Sequence, residues 1–121
     1  MSSEPKTSDI NWLEPIFRMS PDGIVVQDGA GKILKANDRF GKLCNKPLEE
    51  IIGRHFIDLL CPASQSNWNR NFEKLLRNEW SNIEGTFIFT GGRKIPIEVT
   101  LMAPVSEHGK NFIILHVRDT S

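Results

Sequence analysis

Apolar residues recur along the chain with two different periods, and each period marks one kind of element. Between residues 64 and 78, Trp68, Phe72, Leu75 and Leu76 are spaced as i, i+4, i+7 and i+8. This spacing places them on one face of an α-helix, which we expect to pack against the core. A shorter apolar stripe, in a helix predicted at residues 8–19, consists of Trp12, Leu13, Ile16 and Phe17.

The second period is the alternation of a β-strand, and it dominates the C-terminal third of the chain. From Ile95 to Val105 every second residue is apolar. Residues 83–90 and 112–118 are further runs rich in β-branched and aromatic residues, set off by Gly91-Gly92 and by a turn at residues 106–109. The run at 112–118 is apolar on both faces, which predicts a strand that is covered on both sides.

A strand–turn–strand unit lies near the N terminus, at residues 21–37. Residues 24–26 are a β-branched run, residues 28–31 are D-G-A-G, and Ile33 and Leu34 resume the strand. Glycine supports such a turn because it reaches positive φ without strain. Asn37 then caps the next helix. The order is two strands, several helices and three strands, which predicts an α+β fold on an antiparallel sheet.

Composition and charge exclude several classes of protein. The chain has 121 residues, of which 15 are basic and 15 acidic, and 39% are hydrophobic. This length fits one domain with a single core. The balanced charge lacks the basic stripe of a nucleic-acid-binding protein. No apolar run approaches the roughly 20 residues of a membrane span, and the N terminus lacks the apolar segment of a signal peptide. We therefore expect a cytoplasmic protein with neither a nucleic-acid partner nor membrane insertion.

Residue types that support catalysis or metal binding are few and scattered. Cys44 and Cys61 are predicted to be reduced, unpaired and buried as small hydrophobes. Two cysteines and three separated histidines form no metal-binding motif. The sequence has no nucleophile elbow, no phosphate-binding loop and no zinc-protease motif. We expect a non-catalytic module without a metal.

Six short motifs, in this order, resemble those of the PAS family of sensor domains. They are P-D-G-I (21–24), D-G-A-G-K-I (28–33), A-N-D-R-F (36–40), L-E-E-I-I-G (48–53), I-P-I-E-V (95–99) and the exit motif V-R-D-T-S (117–121). The resemblance assigns residues 21–121 to the PAS domain and leaves residues 1–20 as an N-terminal tail with a flanking helix. It implies a five-stranded antiparallel sheet of order 2-1-5-4-3, with helices that cover one face and enclose a pocket.

The resemblance also implies a sensory and regulatory function. PAS modules of bacterial and archaeal signalling proteins, such as the sensor histidine kinases of two-component systems, bind a small ligand in the core and relay its presence to a C-terminal effector. The sequence ends on the exit motif, so we expect the effector, most simply a histidine kinase, in a longer parent protein. A cyclic-dinucleotide enzyme or a transcription factor is the alternative effector. The residues expected to carry the signal out are Arg118, Asp119 and Thr120.

The implied pocket is lined in this sequence by large apolar residues. The ligand-pocket candidates are Phe40, Leu43, Ile52, Phe56, Trp68, Phe72, Leu75, Phe87, Phe89, Val99 and Leu115. Side chains of this size could also plug the pocket, which leaves open a ligand-free dimerisation module. A homodimer is expected, and its interface candidates are Trp12, Leu13, Ile16, Phe17 and Ile114.

The resemblance leaves the cofactor unknown. Light-sensing LOV domains carry a reactive cysteine in a G-x-N-C-R-F-L-Q motif, and Phe56 stands at that position here, so flavin–cysteinyl photochemistry is not expected. Haem-binding PAS domains carry a ligating histidine on the long helix, and residues 64–78 contain none. Trp68 and Trp80 resemble the tryptophans of flavin-binding redox sensors. FAD or FMN therefore stays open, beside a small ligand or no ligand.

Overall fold

The computed structural model describes residues 13–77, 82–107 and 110–121. Its helices are α1 (Leu13–Met19), α2 (Asp38–Cys44), α3 (Leu48–Ile51) and α4 (Pro62–Leu76), with a 3-10 helix at Phe56–Leu59. Its strands are β1 (Gly23–Asp28), β2 (Ile33–Ala36), β3 (Asn82–Ile88), β4 (Lys94–Glu107) and β5 (Lys110–Asp119). The predicted α+β order is confirmed. The part of the predicted N-terminal helix that precedes Leu13 lies outside the described residues.

The strands form one antiparallel sheet of order β2-β1-β5-β4-β3, which confirms the predicted topology. The last strand, β5, lies at the centre, where Leu115 pairs with Val25 of β1 on one side and with Leu101 of β4 on the other. Both faces of β5 are covered, since Ile114 and Leu115 are 1% and 0% exposed. A strand that is apolar on both faces therefore lies inside the sheet, where both of its faces are buried.

The predicted alternation along β4 ends at a β-bulge. Leu101 pairs with Leu115, but the next pairing joins Ala103 to Ile114, so the register shifts by one residue. Met102 lies at the bulge and is 43% exposed. The prediction of an unbroken alternation to Val105 is wrong, because an extra residue in one strand of a pair reverses the alternation beyond it.

The helix-covered face of the sheet carries the larger hydrophobic core. Trp68 and Leu75 of α4 are buried in it and Phe72 is half-buried against it, as the helical spacing predicts. Leu76 is 44% exposed, so its predicted inward position is wrong. Successive helical residues are rotated by about 100°, which turns Leu76 away from the core that Leu75 enters. The start of α4 is fixed to β3 because the Ser64 hydroxyl oxygen accepts a hydrogen bond of 2.9 Å from a β3 amide.

The opposite, outer face of the sheet is covered by α1. Phe17 is 8% exposed and packs in a cluster with Ile24, Val26, Phe112 and Ile114. Polar contacts at the edge of this cluster involve Lys35, whose ammonium pairs with Glu14 and lies 5.2 Å from the centre of the Phe17 ring. The short apolar helix thus avoids solvent by packing on its own domain.

Candidate functional site

The pocket candidates predicted from the sequence converge on the helix-covered face of the sheet. Phe40, Leu43, Phe56, Trp68, Leu75, Phe87, Phe89, Val99 and Leu115 are buried in one cluster, and Phe72 packs against it. The sheet contributes its inward residues and the helices close over them. That these side chains contact a ligand stays a prediction, because a cluster of this kind is also a well-packed core.

Ile52 does not belong to this cluster. It is 39% exposed, whereas the preceding residue, Ile51, is fully buried. Helix α3 ends at Ile51, and the chain turns extended at Ile52, with φ −64° and ψ 132°. The prediction for Ile52 is corrected to Ile51, because an early end of the helix changes which of two adjacent isoleucines faces the core.

Four aromatic rings organise the space between α4 and the sheet. The Trp68 indole lies 4.1 Å from the Phe56 ring at an interplanar angle of 4°, and 5.6 Å from the Phe72 ring at 15°. Phe87 meets the indole edge-on at 5.9 Å and 81°. Such aromatic pairs contribute about 0.5–1.5 kcal/mol each beyond their buried area. A flavin ring would therefore compete with the protein's own rings for the indole face.

A cavity of about 240 Å³ remains beside this aromatic cluster, between the β1–β2 turn and α4. Its lining includes Gln27, Gly31, His55, Trp68 and Phe72. Gln27 is 1% exposed, and its side-chain carbonyl oxygen has no hydrogen-bond partner among the residues that the structure describes. Gln27 is not among the site residues predicted from the sequence. The signal was present, because Gln27 follows Val25 at strand spacing and so shares its inward face.

Asn37 links the cavity-bearing domain to the flanking helix. Its side-chain oxygen accepts hydrogen bonds from the amides of Ile24 at 2.9 Å and Phe40 at 3.1 Å. Its side-chain nitrogen donates to the carbonyl oxygens of Phe17 at 3.3 Å and Asp22 at 3.0 Å. The predicted capping role is confirmed, and one buried amide additionally joins α1, the following loop, β1 and α2.

The predicted exit residues are held against β4. The Arg118 guanidinium lies 2.7 Å from the Glu98 carboxylate, and the Thr120 amide donates to a carbonyl oxygen of β4 at 2.9 Å. Asp119 accepts hydrogen bonds from the hydroxyl and the amide of Ser121, which lowers the pKa of the Asp119 carboxyl. The exit motif therefore forms the end of β5, and the two residues after the strand are hydrogen-bonded to β4 and to Asp119. Its role in relaying a signal stays a prediction.

The dimer-interface candidates fall into two groups. Phe17 and Ile114 are buried within one chain, at 8% and 1% exposed, so pairing through them would require α1 to leave the sheet. Ile16 is 37% exposed and remains available to a partner. Trp12 lies outside the described residues, and Leu13 forms the first residue of α1.

The histidines whose positions are described lie apart from one another. His55 lines the cavity, and the His116 imidazole lies 3.0 Å from the Asp22 carboxylate near the end of α1. Within residues 13–77, 82–107 and 110–121, no group of three or more His, Cys, Asp or Glu side chains is placed to hold a metal ion.

The two cysteines differ in burial. Cys44 is 2% exposed, as predicted for a small buried hydrophobe, whereas Cys61 is half-buried and its thiol lies 3.3 Å from the Phe89 carbonyl oxygen. Burial raises the pKa of the Cys44 thiol from 9.0 to about 12, because the thiolate would lose its hydration. Cys44 is therefore neutral in the folded protein at physiological pH.

This raised pKa predicts a loss of stability at alkaline pH. The unfolded chain releases the Cys44 proton near pH 9 and the folded chain only near pH 12, so stability is complete below pH 9 and falls above it. Between pH 7 and pH 10 we expect the wild-type protein to lose about 1.4 kcal/mol more unfolding free energy than Cys44→Ala, at about 1.4 kcal/mol per pH unit. Urea unfolding at both pH values measures the difference. Ser66→Ala, an exposed change that involves no ionisable group, is the control and should keep the wild-type pH dependence. Equal pH dependence in wild type and Cys44→Ala would refute the assignment.

Comparison with known proteins identifies the class that this fold and site define. The family model described as "PAS fold" matches residues 13–120. The chain therefore belongs to the PAS family. No curated protein sequence matches it.

Solved structures show the same fold at low sequence identity. The PAS domain of a Desulfitobacterium hafniense protein is 15% identical with a TM-score of 0.73, over 88% of this chain and 99% of that one. The PAS domain of a two-component sensor histidine kinase is 13% identical with a TM-score of 0.67, over 94% and 98%. The PAS domain of the Cronobacter turicensis quorum-sensing receptor RpfR, in complex with C12:0, is 24% identical with a TM-score of 0.64, over 84% and 96%.

PAS domains are typically non-catalytic sensory modules that link to effectors. In the described part of the chain, none of the helices has both the length and the apolar character that crossing a membrane requires.

Proposed function

We propose that this chain is the sensory module of a cytoplasmic signal-transduction protein, which binds a small molecule between α4 and the sheet and relays its presence through β5. The observation that carries this proposal is the pairing of Gln27, which lines the cavity, with Ile113 of β5. A ligand that moves β1 therefore acts directly on the strand that ends at the exit motif. A shift of this kind changes the population of two arrangements of the exit segment.

The effector in this proposal lies C-terminal to the exit motif in a longer protein, and a histidine kinase is the first candidate. One of the similar structures is a PAS domain of a sensor histidine kinase, which supports this choice. Any catalysis then belongs to the parent protein, and the part of the chain described by the structure supplies sensing alone.

The size of the ligand is limited by the aromatic core. The RpfR PAS domain was solved with C12:0, which supports ligand binding by this fold. In this chain Phe40, Phe56 and Phe87 are each at most 2% exposed and belong to the core between the helices and the sheet. The remaining cavity of about 240 Å³ is below the roughly 300–1,000 Å³ of sites for drug-sized ligands. A compact ligand fits it better than a long acyl chain or a dinucleotide.

Native mass spectrometry of freshly isolated protein, combined with its visible absorption spectrum, tests the proposal. We expect an additional mass that disappears on denaturation and a spectrum without flavin or haem bands. Visible flavin bands would instead support the redox-sensor alternative with FAD or FMN. A bare chain that also gains no mass from a metabolite extract would contradict ligand sensing and favour the ligand-free dimerisation module.

The dimerisation module is the second candidate, and α1 carries the observation that favours it. Phe17 fixes α1 to the sheet, while Ile16 and Met19 on the same helix are 37% and 82% exposed. Apolar side chains presented on an anchored helix favour pairing with a second copy. Ligand binding and pairing can coexist in one module.

Substitution of Ile16 tests whether α1 mediates pairing. We expect the wild-type chain to be a dimer by light scattering after size exclusion, and Ile16→Glu to be a monomer with an unchanged circular dichroism spectrum, because the charge is disfavoured in an apolar interface. Arg18→Glu, an exposed change on the same helix, is the control and should leave the dimer intact. A wild-type monomer, or a dimer that survives Ile16→Glu, would remove α1 from the interface.

A further inference from the structure

The side chain of Gln27 is buried at a position where it lacks part of its hydrogen bonding. It projects from β1 toward the helices, on the same face as Val25, and is 1% exposed. Its Oε1 atom has no partner among the described residues. Buried amide oxygens are nearly always paired, since an unpaired one loses its interaction with water without compensation. An oxygen left in this state at the wall of a cavity indicates a missing donor.

A second glutamine, Gln65, has a side-chain amide with hydrogen bonds that serve the fold. Gln65 of α4 is half-buried, and its side-chain nitrogen donates to the carbonyl oxygens of Ile57 at 3.2 Å and Leu60 at 3.1 Å. Its amide therefore closes the turn before α4. Gln27 has no corresponding structural bond through Oε1, although it is the more deeply buried of the two.

The residues that line the cavity favour a flat ligand. Phe56, Trp68 and Phe72 line the α4 side and form a stack, with the Trp68 ring 4.1 Å from Phe56 and 5.6 Å from Phe72 between ring centres. An aromatic ligand can extend such a stack or meet its ring edges, and both arrangements are favourable. The cavity volume of about 240 Å³ limits the ligand to one or two fused rings.

The charge of the lining limits the ligand further. Among the described residues no Asp, Glu, Lys or Arg lines the cavity, and His55 is its one ionisable side chain. A ligand with a full charge would lose hydration there without gaining an opposite charge. The site is suited to a neutral molecule.

The rim of the cavity is held in place by the backbone. The carbonyl oxygen of Gly31 accepts from the Phe56 amide at 3.3 Å, and the Ile33 amide donates to the Arg54 carbonyl oxygen at 2.7 Å. Gly31 has a φ of +97°, which favours glycine, and its position allows ordinary van der Waals contact with the His55 ring. The cavity is therefore preformed, which lowers the cost of binding.

We infer that Gln27 and the cavity beside Trp68 bind a small, neutral, planar ring compound whose N–H or O–H group donates a hydrogen bond to Gln27 Oε1. This inference rests on the proposed function and specifies the class of ligand. Gln27 recognises the donor, and Trp68 and Phe72 contact the ring. The pairing of Gln27 with Ile113 connects the site to β5.

Indole and 1-methylindole form a matched pair of probes, because they share the ring system and differ in the single N–H donor. We expect ¹⁵N chemical-shift titrations to show indole binding with a Kd on the order of 0.1–1 mM. The largest shifts should belong to Gln27, Trp68 and Phe72. 1-Methylindole should bind about tenfold more weakly, the loss expected for one hydrogen bond to a buried acceptor.

Two glutamine variants separate ligand recognition from folding. Gln27→Leu should bind indole and 1-methylindole equally and should unfold at the same or a higher temperature than wild type, because an unpaired oxygen is replaced by an apolar group. Gln65→Leu should keep the preference for indole and should unfold at a lower temperature, because two hydrogen bonds are lost. A Gln27→Leu protein that is destabilised as much as Gln65→Leu would show that Oε1 is already paired, for instance by water, and would overturn the inference.

Native mass spectrometry after incubation with a metabolite extract distinguishes failure of this inference from failure of the proposed function. Indole shifts around Gln27 with discrimination against 1-methylindole support the inference. Equal binding of the two rings, shifts away from Gln27, or no indole binding up to its solubility overturn it. If the protein gains a mass from the extract while indole does not bind, small-ligand sensing by the core survives and the ring-compound class is wrong; if it gains none, the proposed function fails as well.

Discussion

Replacing Trp68 by alanine is expected to lower the free energy of unfolding by about 3–5 kcal/mol, the range for a buried aromatic residue. Trp68 is 3% exposed and contacts Phe56, Phe72 and Phe87 through its ring. Alanine would leave a cavity that these rings cannot fill without leaving their preferred positions. Since domains of this size have only about 5–15 kcal/mol of stability, the variant should be close to the limit of folding. Urea unfolding followed by circular dichroism measures the loss.

Ser66→Ala provides the matched control for Trp68→Ala. Ser66 is exposed on the same helix, so its replacement should change the unfolding free energy by less than about 0.5 kcal/mol. A loss below about 1 kcal/mol in Trp68→Ala, together with a large loss of ligand binding, would show that Trp68 serves the ligand and not the core.

Asn37→Ala is expected to have the second-largest effect, about 2–4 kcal/mol. The side chain of Asn37 is 3% exposed and makes four hydrogen bonds, two as acceptor and two as donor. Its removal leaves buried backbone groups unpaired, and each such group costs about 1–3 kcal/mol unless water reaches it. The effect should include release of α1, because one of the lost bonds ends on the carbonyl oxygen of Phe17.

Two comparisons make the Asn37 prediction specific. Asn71→Ala removes an exposed amide that bonds only to Asn67 among the contacts described, and should cost less than about 0.5 kcal/mol. Asn37→Asp keeps an acceptor for Ile24 and Phe40 but places a carboxylate against the two carbonyl oxygens, so it should rescue little stability at neutral pH. Full stability in Asn37→Asp would show that the two donor bonds to α1 and its loop contribute nothing.

The order of strands and helices was predictable because it depends on local patterns. The burial of both faces of β5 followed from its apolar pattern, and the capping role of Asn37 followed from its place before a helix. The central position of β5 was implied by the resemblance to the PAS family. The three other hydrogen bonds of Asn37 were not predictable, because they join segments that are 13 to 20 residues apart. Sequence periodicity carries no information on contacts of this kind.

Errors in the sequence analysis occurred where a regular element ends or changes register. Ile52 is exposed because α3 ends at Ile51, and sequence patterns locate the end of a short helix only to within one or two residues. The bulge near Met102 was missed because apolar residues lie on both sides of it. Gln27 is a polar residue on a buried face, so the apolar pattern does not mark it, although its spacing from Val25 in the strand does.

Amide hydrogen exchange along β5 tests most directly whether occupancy of the cavity reaches the exit motif. The measurement compares protein as isolated, protein refolded from denaturant to remove any non-covalent ligand, and refolded protein with indole. We predict slower exchange at Ile113, Leu115 and Val117 in the first and third samples than in the second. Identical exchange along β5 in all three, or protection confined to α4, would contradict a relay through β5.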